Sequence, residues 1–262
     1  MKRRPFIRRL AAGAVLSLLA CSAVFADVLD DIKEAGVLTV AVPQDFPPFG
    51  SVGTDLKPIG YDIDMAKLIA DDLGVLVELV PVTSTNRIPF LTTGKADLVI
   101  SSLGKNPDRE KVIDFTDAYA PFFNGVFGPD DVAAADAAAL SGKTLGVTRG
   151  SIEDLELSKI APEDLTIKRF EDNNGTISAY LSGQVELIAT GNVVAAAVNE
   201  QTDQRNLSVK FLIKNSPCYV GVAKGEDALK AKVNEIIAAA KADGRLEKIA
   251  GTWLQQPLPD DL

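Results

Sequence analysis

The sequence predicts an α/β protein of two similar lobes, each a mainly parallel sheet flanked by helices. Apolar strand-like runs alternate with amphipathic helical segments from residue 37 to residue 101. A β-α-β-α-β order of this kind calls for parallel strands with helical crossovers on both faces. The order restarts at residue 143 and does so strand for strand, GKTLGV echoing GVLTVA and SGQVELIA echoing TGKADLVI. Between the halves lies FTDAYAPFFNGVFG, residues 115–128, which is extended and aromatic and lacks the Gly/Ser richness of a floppy linker. Such a link suits a hinge between lobes that stay close and shut over something.

The elements follow in order. VLTVAV (37–42) is a continuous apolar run and reads as a buried strand. GYDIDMAKLIADDLG (60–74) reads as a helix, with Asp62 a candidate N-cap and Gly74 a stop. VLVELVPV (75–82) is the second strand, RIPFLTTG (87–94) a short helix ending at Gly94, and ADLVIS (96–101) the third strand. The second half gives strands at KTLGVT (143–148), LTIKRF (165–170) and VELIAT (185–190), with helical segments between them. PCYVGVA (217–223) adds a further strand. Two helices close the chain, 227–242 with Val233, Ile236, Ile237 and Ala240 on its apolar face, and 245–254 with Leu246, Ile249 and Trp253.

At 262 residues the chain has the length of two modest domains, and 47% hydrophobic with 24% charged residues is ordinary for a folded protein. A net charge of −9 argues against a nucleic-acid partner, which requires a basic face. Histidine is absent, which removes Ser-His-Asp and Cys-His catalysis and His-based zinc sites, and two cysteines are too few for a Cys-rich metal site. No cofactor and no metal are expected. Residues 1–26 read as an export signal: a basic MKRRPFIRR, an apolar run from Leu10 to Ala20 too short for a membrane span, and a cleavage site after Ala26. The paired arginines fit either a twin-arginine signal or an Arg-rich general secretion signal, and Cys21 offers a lipoprotein-type site as an alternative. After cleavage at Ala26 only Cys218 remains, set in apolar surroundings that predict a buried thiol.

Candidate ligand-binding residues collect at the carboxyl ends of the strands, where open α/β sheets place their ligands. Ser101, Ser102 and Gly104 follow the third strand, and their small side chains and free backbone N–H groups favour an anion. Arg109, shortly after, carries a planar fork that can hold a carboxylate by two hydrogen bonds; local pairing with Asp108, Glu110 or Asp114 is the alternative. Arg87 ends the second strand, and a solvated helix-start arginine is its alternative reading. Phe46 and Phe49, in the Pro-rich turn after the first strand, either line a pocket wall or cap the core. In the second half, Arg149, Gly150, Ser151 and the backbone of Ile152 mark a helix N-terminus that suits an anion.

These motifs, with GYDIDMAKLIADDLG, NPDREKVIDFTDAY, SGKTLGVTRGS, SPCYVGVAKG and ADGRLEKIAGTW, give the chain from about Val37 to Trp253 a resemblance to the extracytoplasmic solute-binding proteins of ABC importers for polar amino acids. The resemblance implies a type II periplasmic-binding-protein fold with two hinge crossings, lobe 1 over 27–121 and 216–262, and lobe 2 over 122–215. It also implies roles: Arg109 grips the ligand α-carboxylate with Ser102 beside it, Phe46 packs on the ligand, and Arg87 serves as in the glutamate/aspartate-binding subset. Ser151 supplies a hydroxyl, and Ile152, where the family often has Thr, only its N–H. The largest departure is Gly191, beside Asn192, where members often carry the Asp that pairs with the ligand ammonium. A buried ammonium without a carboxylate is costly. Three outcomes stay open: another acid, with Asp45 and Asp172 the nearest, supplies the charge; carbonyls, Asn192 and water meet the ammonium; or the ligand lacks a free amine. The expectation is a monomeric periplasmic receptor that passes a polar amino acid to an inner-membrane ABC permease, with Arg87 beside Arg109 tilting the choice towards an acidic one. An exported dehydratase acting on arogenate or prephenate is the competing class.

Overall fold

The computed structural model describes residues 27–260 and residue 262; the expected export signal, with Cys21, lies outside the described residues. The chain runs through α1 (Val28–Ala35), β1 (Val37–Pro43), β2 (Ser51–Val52), β3 (Pro58–Ile59), α2 (Tyr61–Leu73), β4 (Leu76–Val82), α3 (Arg87–Thr92), β5 (Leu98–Val99), α4 (Pro107–Glu110) and β6 (Ile113–Ala120). It continues through β7 (Phe123–Gly128), β8 (Thr144–Thr148), α5 (Ile152–Ile160), β9 (Thr166–Phe170), α6 (Asn173–Leu181), β10 (Leu187–Gly191), α7 (Asn192–Gln201) and β11 (Ser208–Asn215). It ends with β12 (Cys218–Ala223), α8 (Asp227–Ala242) and α9 (Arg245–Trp253).

The strands form two five-stranded sheets, one to each lobe, in the orders β4-β1-β5-β12-β6 and β11-β7-β10-β8-β9. In the first, β4 and β5 pair parallel to β1 while β12 runs antiparallel to β5 and β6. The second repeats the scheme: β9 and β10 pair parallel to β8, and β7 runs antiparallel to β10 and β11. The mainly parallel α/β reading therefore holds, and the antiparallel members are the strands that flank the passages between sheets. One passage is Pro121-Phe122, between β6 and β7, and the other is Ser216-Pro217, between β11 and β12. The Ser216 N–H donates to the Phe122 carbonyl at 3.1 Å, which ties the two passages together.

Burial follows the sequence pattern. Leu38, Val40 and Val42 of β1, Ile63, Met65 and Ile69 of α2, and Val233, Ile236 and Ile237 of α8 share one core on the first sheet. Leu145, Val147, Leu187 and Leu157 fill one face of the second, while Ile188, Tyr180 and Val198 fill the other. Gly74 ends α2 in the left-handed region at φ 72°, with its N–H on Ala70 and Asp71 carbonyls. The helix start differs from expectation. Gly60, at φ 139°, is the N-cap, and Asp62 lies inside the first turn, fully buried and making tertiary bonds instead of capping. Among the described residues no helix is long and apolar enough to cross a membrane.

Candidate functional site

The carboxyl ends of both sheets face a shared cleft. From the first lobe come Pro43, Asp45, Phe46, Val82, Ser84, Arg87, Ser101, Ser102 and Gly104. Phe122 and Asn124 enter from the passage, and Thr148, Ser151, Ile152, Glu153, Asn173, Ala189 and Thr190 from the second lobe. The free volume is about 20 Å³, room for little more than a water molecule. Admission of any solute larger than water therefore requires the lobes to part.

Polar bonds hold the closed form together. The Asn173 N–H, at the start of α6, donates across the cleft to Asp45 Oδ2 at 2.7 Å. Arg109 donates from one terminal nitrogen to the Gly104 carbonyl at 2.6 Å and from the other to the Gly150 carbonyl of the second lobe at 2.9 Å. Ile152 presses on Gly104 so closely that a Cβ there would lie 2.6 Å from Ile152 Cγ1. Asn106 Nδ2 reaches Glu156 at 3.4 Å, and Lys214 Nζ reaches the Lys105 carbonyl at 2.8 Å.

Arg87 is the cation turned into the cleft. Its side chain is buried, one terminal nitrogen donates to the Ser101 carbonyl, and its Nε is buried without a partner among the described residues. Burial pulls its pKa down, offset by nearby Glu153. A buried guanidinium with an unpartnered donor suits an anion, because a buried polar group left without a partner is costly. Ser102 sits beside it in the left-handed region at φ 39°. Asp62 holds it there, accepting from the Ser102 N–H at 2.6 Å and from the Tyr119 hydroxyl at 2.6 Å. Burial raises the Asp62 pKa to about 7 against the lowering effect of those two hydrogen bonds.

The other sequence-derived candidates divide. Phe46 lines the cleft, 6.1 Å from the Phe122 ring centroid, whereas Phe49 belongs to the core. Ser151 lines it and caps α5, accepting from the Asp154 N–H at 3.2 Å. Arg109 stands behind the cleft wall, its terminal nitrogens on carbonyls; burial lowers its pKa to about 9, with Arg87 adding to the effect. Arg149 lies outside, half exposed and paired with Glu171 at 2.8 Å. Asp172 caps α6 through Gly175 at 2.7 Å. Asn192 starts α7 and accepts from the Phe123 N–H at 3.0 Å.

Gly191 is occupied territory. A Cβ built there would fall against the Phe122 ring, 2.5 Å from Cε2 and 2.9 Å from Cε1. An aromatic ring from the passage thus fills the volume an aspartate side chain would need. Sequence reasoning did not single out Phe122, Asn124, Thr148, Asn173 or Glu153 for this site. Glu153 resembles an ordinary acid in a helix's first turn, and only its burial, 5% exposed, distinguishes it. Among the described residues no cluster of His, Cys, Asp and Glu could hold a metal.

Comparison with known proteins agrees with this architecture. The family model for bacterial extracellular solute-binding proteins, family 3, matches residues 38–256. The ABC transporter glutamine-binding protein GlnH of Bacillus subtilis (strain 168) is 27% identical over 236 residues, covering 88% of this chain and 85% of that one. Among solved structures, the solute receptor for L-cysteine of Neisseria gonorrhoeae matches with a TM-score of 0.82 at 30% identity, covering 89% of this chain and 96% of that one. An ancestral amino acid-binding protein, AncCDT-1, described as a precursor of cyclohexadienyl dehydratase, matches with a TM-score of 0.80 at 29% identity over 87% and 99% of the two chains. With two sheets of one scheme closing on a polar cleft, and a family match across nearly all the described residues, the chain belongs to the bacterial extracellular solute-binding proteins, family 3.

Proposed function

We propose that this protein is the amino-acid receptor of an ABC importer, capturing its solute between lobes 27–121 with 216–262 and 122–215. It works as a monomer in the periplasm and delivers to an inner-membrane permease. The observation that carries the reading is Arg87: a buried guanidinium with an unpartnered Nε among the described residues, lining a cleft that both lobes build. It is the natural seat for a solute carboxylate. Phe46 and Phe122 supply apolar walls, and Ser84, Ser102, Asn124, Ser151 and Thr190 supply hydrogen-bonding groups. Arg109 acts from behind by bridging Gly104 to Gly150, an interaction made across the lobes only when they are closed. Solute contacts and these bonds together favour the closed state. The relatives that bind glutamine and L-cysteine support a small polar amino acid.

A thermal-shift screen with the twenty L-amino acids tests this, since a ligand at about 100 times its Kd stabilises the native state by about 2.7 kcal/mol. One or a few amino acids should raise the melting temperature, and Arg87→Ala should abolish the rise. We read the protein as a receptor and not an enzyme. No shift with any amino acid, together with conversion of prephenate to phenylpyruvate, would overturn that.

A further inference from the structure

The acid expected at position 191 is absent, and the ring of Phe122 closes that route. The acids around the cleft nevertheless differ in how far they are engaged. Asp62 holds Ser102 and Tyr119 with its two oxygens. Asp154 accepts from Arg169 Nε at 2.7 Å and from the Gly150 N–H at 3.0 Å. Asp172 caps α6. Two acids line the cleft itself, Asp45 and Glu153. Neither forms an ion pair among the described residues; Asp45 accepts the interlobe N–H of Asn173, whereas the donors near Glu153 come only from its own helix start, the Ser151 hydroxyl and its own amide.

An acid in the first turn of a helix ordinarily faces solvent and interacts with the positive end of the helix dipole. Glu153 does not face solvent. Burial pushes its pKa up, while its own amide, the Ser151 hydroxyl, Arg87 and Arg109 hold it down. A buried carboxylate costs free energy unless a cation or donors meet it. Arg87, on the opposite lobe, has the complementary need. The cleft thus presents a cation from the first lobe and an acid from the second, each within reach of the other's charge and neither in an ion pair among the described residues.

Resting on the receptor reading, we infer that Glu153 accepts the ammonium of the bound solute while Arg87 takes its carboxylate, so that the cleft selects zwitterions. The arrangement moves the negative charge from the end of β10 to the first turn of α5. It also couples closure to the solute, because the two charges of a zwitterion would meet one partner on each lobe.

The test measures Kd by calorimetry for wild type, Glu153→Gln and Glu153→Asp. The probes are L-glutamine, L-cysteine, L-glutamate and whichever other amino acid gives the largest thermal shift. Each is paired with the 2-hydroxy acid that replaces its ammonium by a hydroxyl. Wild type should prefer the amino acid. Glu153→Gln should weaken amino-acid binding by at least about 100-fold, as expected for stranding a buried charge, and leave the hydroxy acid within about threefold. Glu153→Asp, which keeps the charge but shortens its reach, should fall between the two. If Glu153→Gln is unstable, the intermediate affinity and retained amino-acid preference of Glu153→Asp carry the test. An amino-acid affinity unchanged in the Gln or Asp variant, or a wild type that prefers the hydroxy acid, would overturn the role of Glu153 and leave the receptor reading standing. Failure of wild type to bind either member of any pair would overturn both.

Discussion

Replacing Gly191 by alanine should destabilise the protein by about 1–3 kcal/mol, the usual cost of forcing a methyl group into a packed site. The added Cβ would approach Phe122 Cε2 to 2.5 Å and Cε1 to 2.9 Å. The ring has little room to withdraw: Phe122 is 4% exposed, 5.4 Å by ring centroids from Phe49 and 6.1 Å from Phe46. For a chain of this size 1 kcal/mol moves the melting temperature by about 2–4 °C, so the shift should be about 2–12 °C downwards. Phe122→Ala alone should cost about 3–5 kcal/mol through the cavity it leaves. Adding Gly191→Ala to it should then cost almost nothing, because the obstacle is gone. Urea unfolding of the four proteins, followed by circular dichroism, closes the double-mutant cycle and should give a coupling of at least about 1 kcal/mol. If Gly191→Ala costs as much in the Phe122→Ala background as in wild type, the ring is not the obstacle and the steric explanation of this position is wrong.

The folded pKa of Asp62, about 7, exceeds the ordinary aspartate value of 3.8, so folding takes up a proton between those values. Its contribution is full below about pH 4 and lost as pH rises through about 7. The stability of wild type relative to Asp62→Asn should therefore fall by about 4 kcal/mol from about pH 4 to about pH 7.5, and a pH-independent difference in urea midpoints would contradict it. Cys218 is fully buried with its pKa raised by burial and nearby Asp62, so a thiol reagent should label it only after unfolding; rapid labelling of the native protein would place it elsewhere. Arg149→Ala should leave solute affinity within about twofold, since the side chain forms only an exposed pair with Glu171. A tenfold loss in calorimetry would bring Arg149 into the site.

Much of the fold was legible because burial of strand and helix faces dictates local pattern. The apolar runs at 37–42 and 143–148 became strands that pair parallel with others of their own half, as the β-α-β-α-β order requires. Gly74 marked a helix end because its left-handed φ suits glycine. What failed was whatever depended on side-chain direction or distant partners. Asp62 had the residue type and place of a cap, yet its bonds go to Tyr119 and Ser102, 57 and 40 residues away. The strand expected over 96–101 pairs regularly only at Leu98 and Val99, because Ser101 and Ser102 turn away to form the cleft wall. The missing charge at Gly191 was visible in the sequence, but the ring that fills its place comes from Phe122, far back along the chain. Glu153 sits where acids commonly start helices, so composition and periodicity gave no sign that it faces the cleft.

The most direct test of the receptor reading is a crystal structure of the protein grown with the amino acid that raises its melting temperature most. The solute should lie between Phe46 and Ser151, with its carboxylate within hydrogen-bonding distance of Arg87. A solute bound outside the cleft, or one held there with no contact to Arg87, would contradict it.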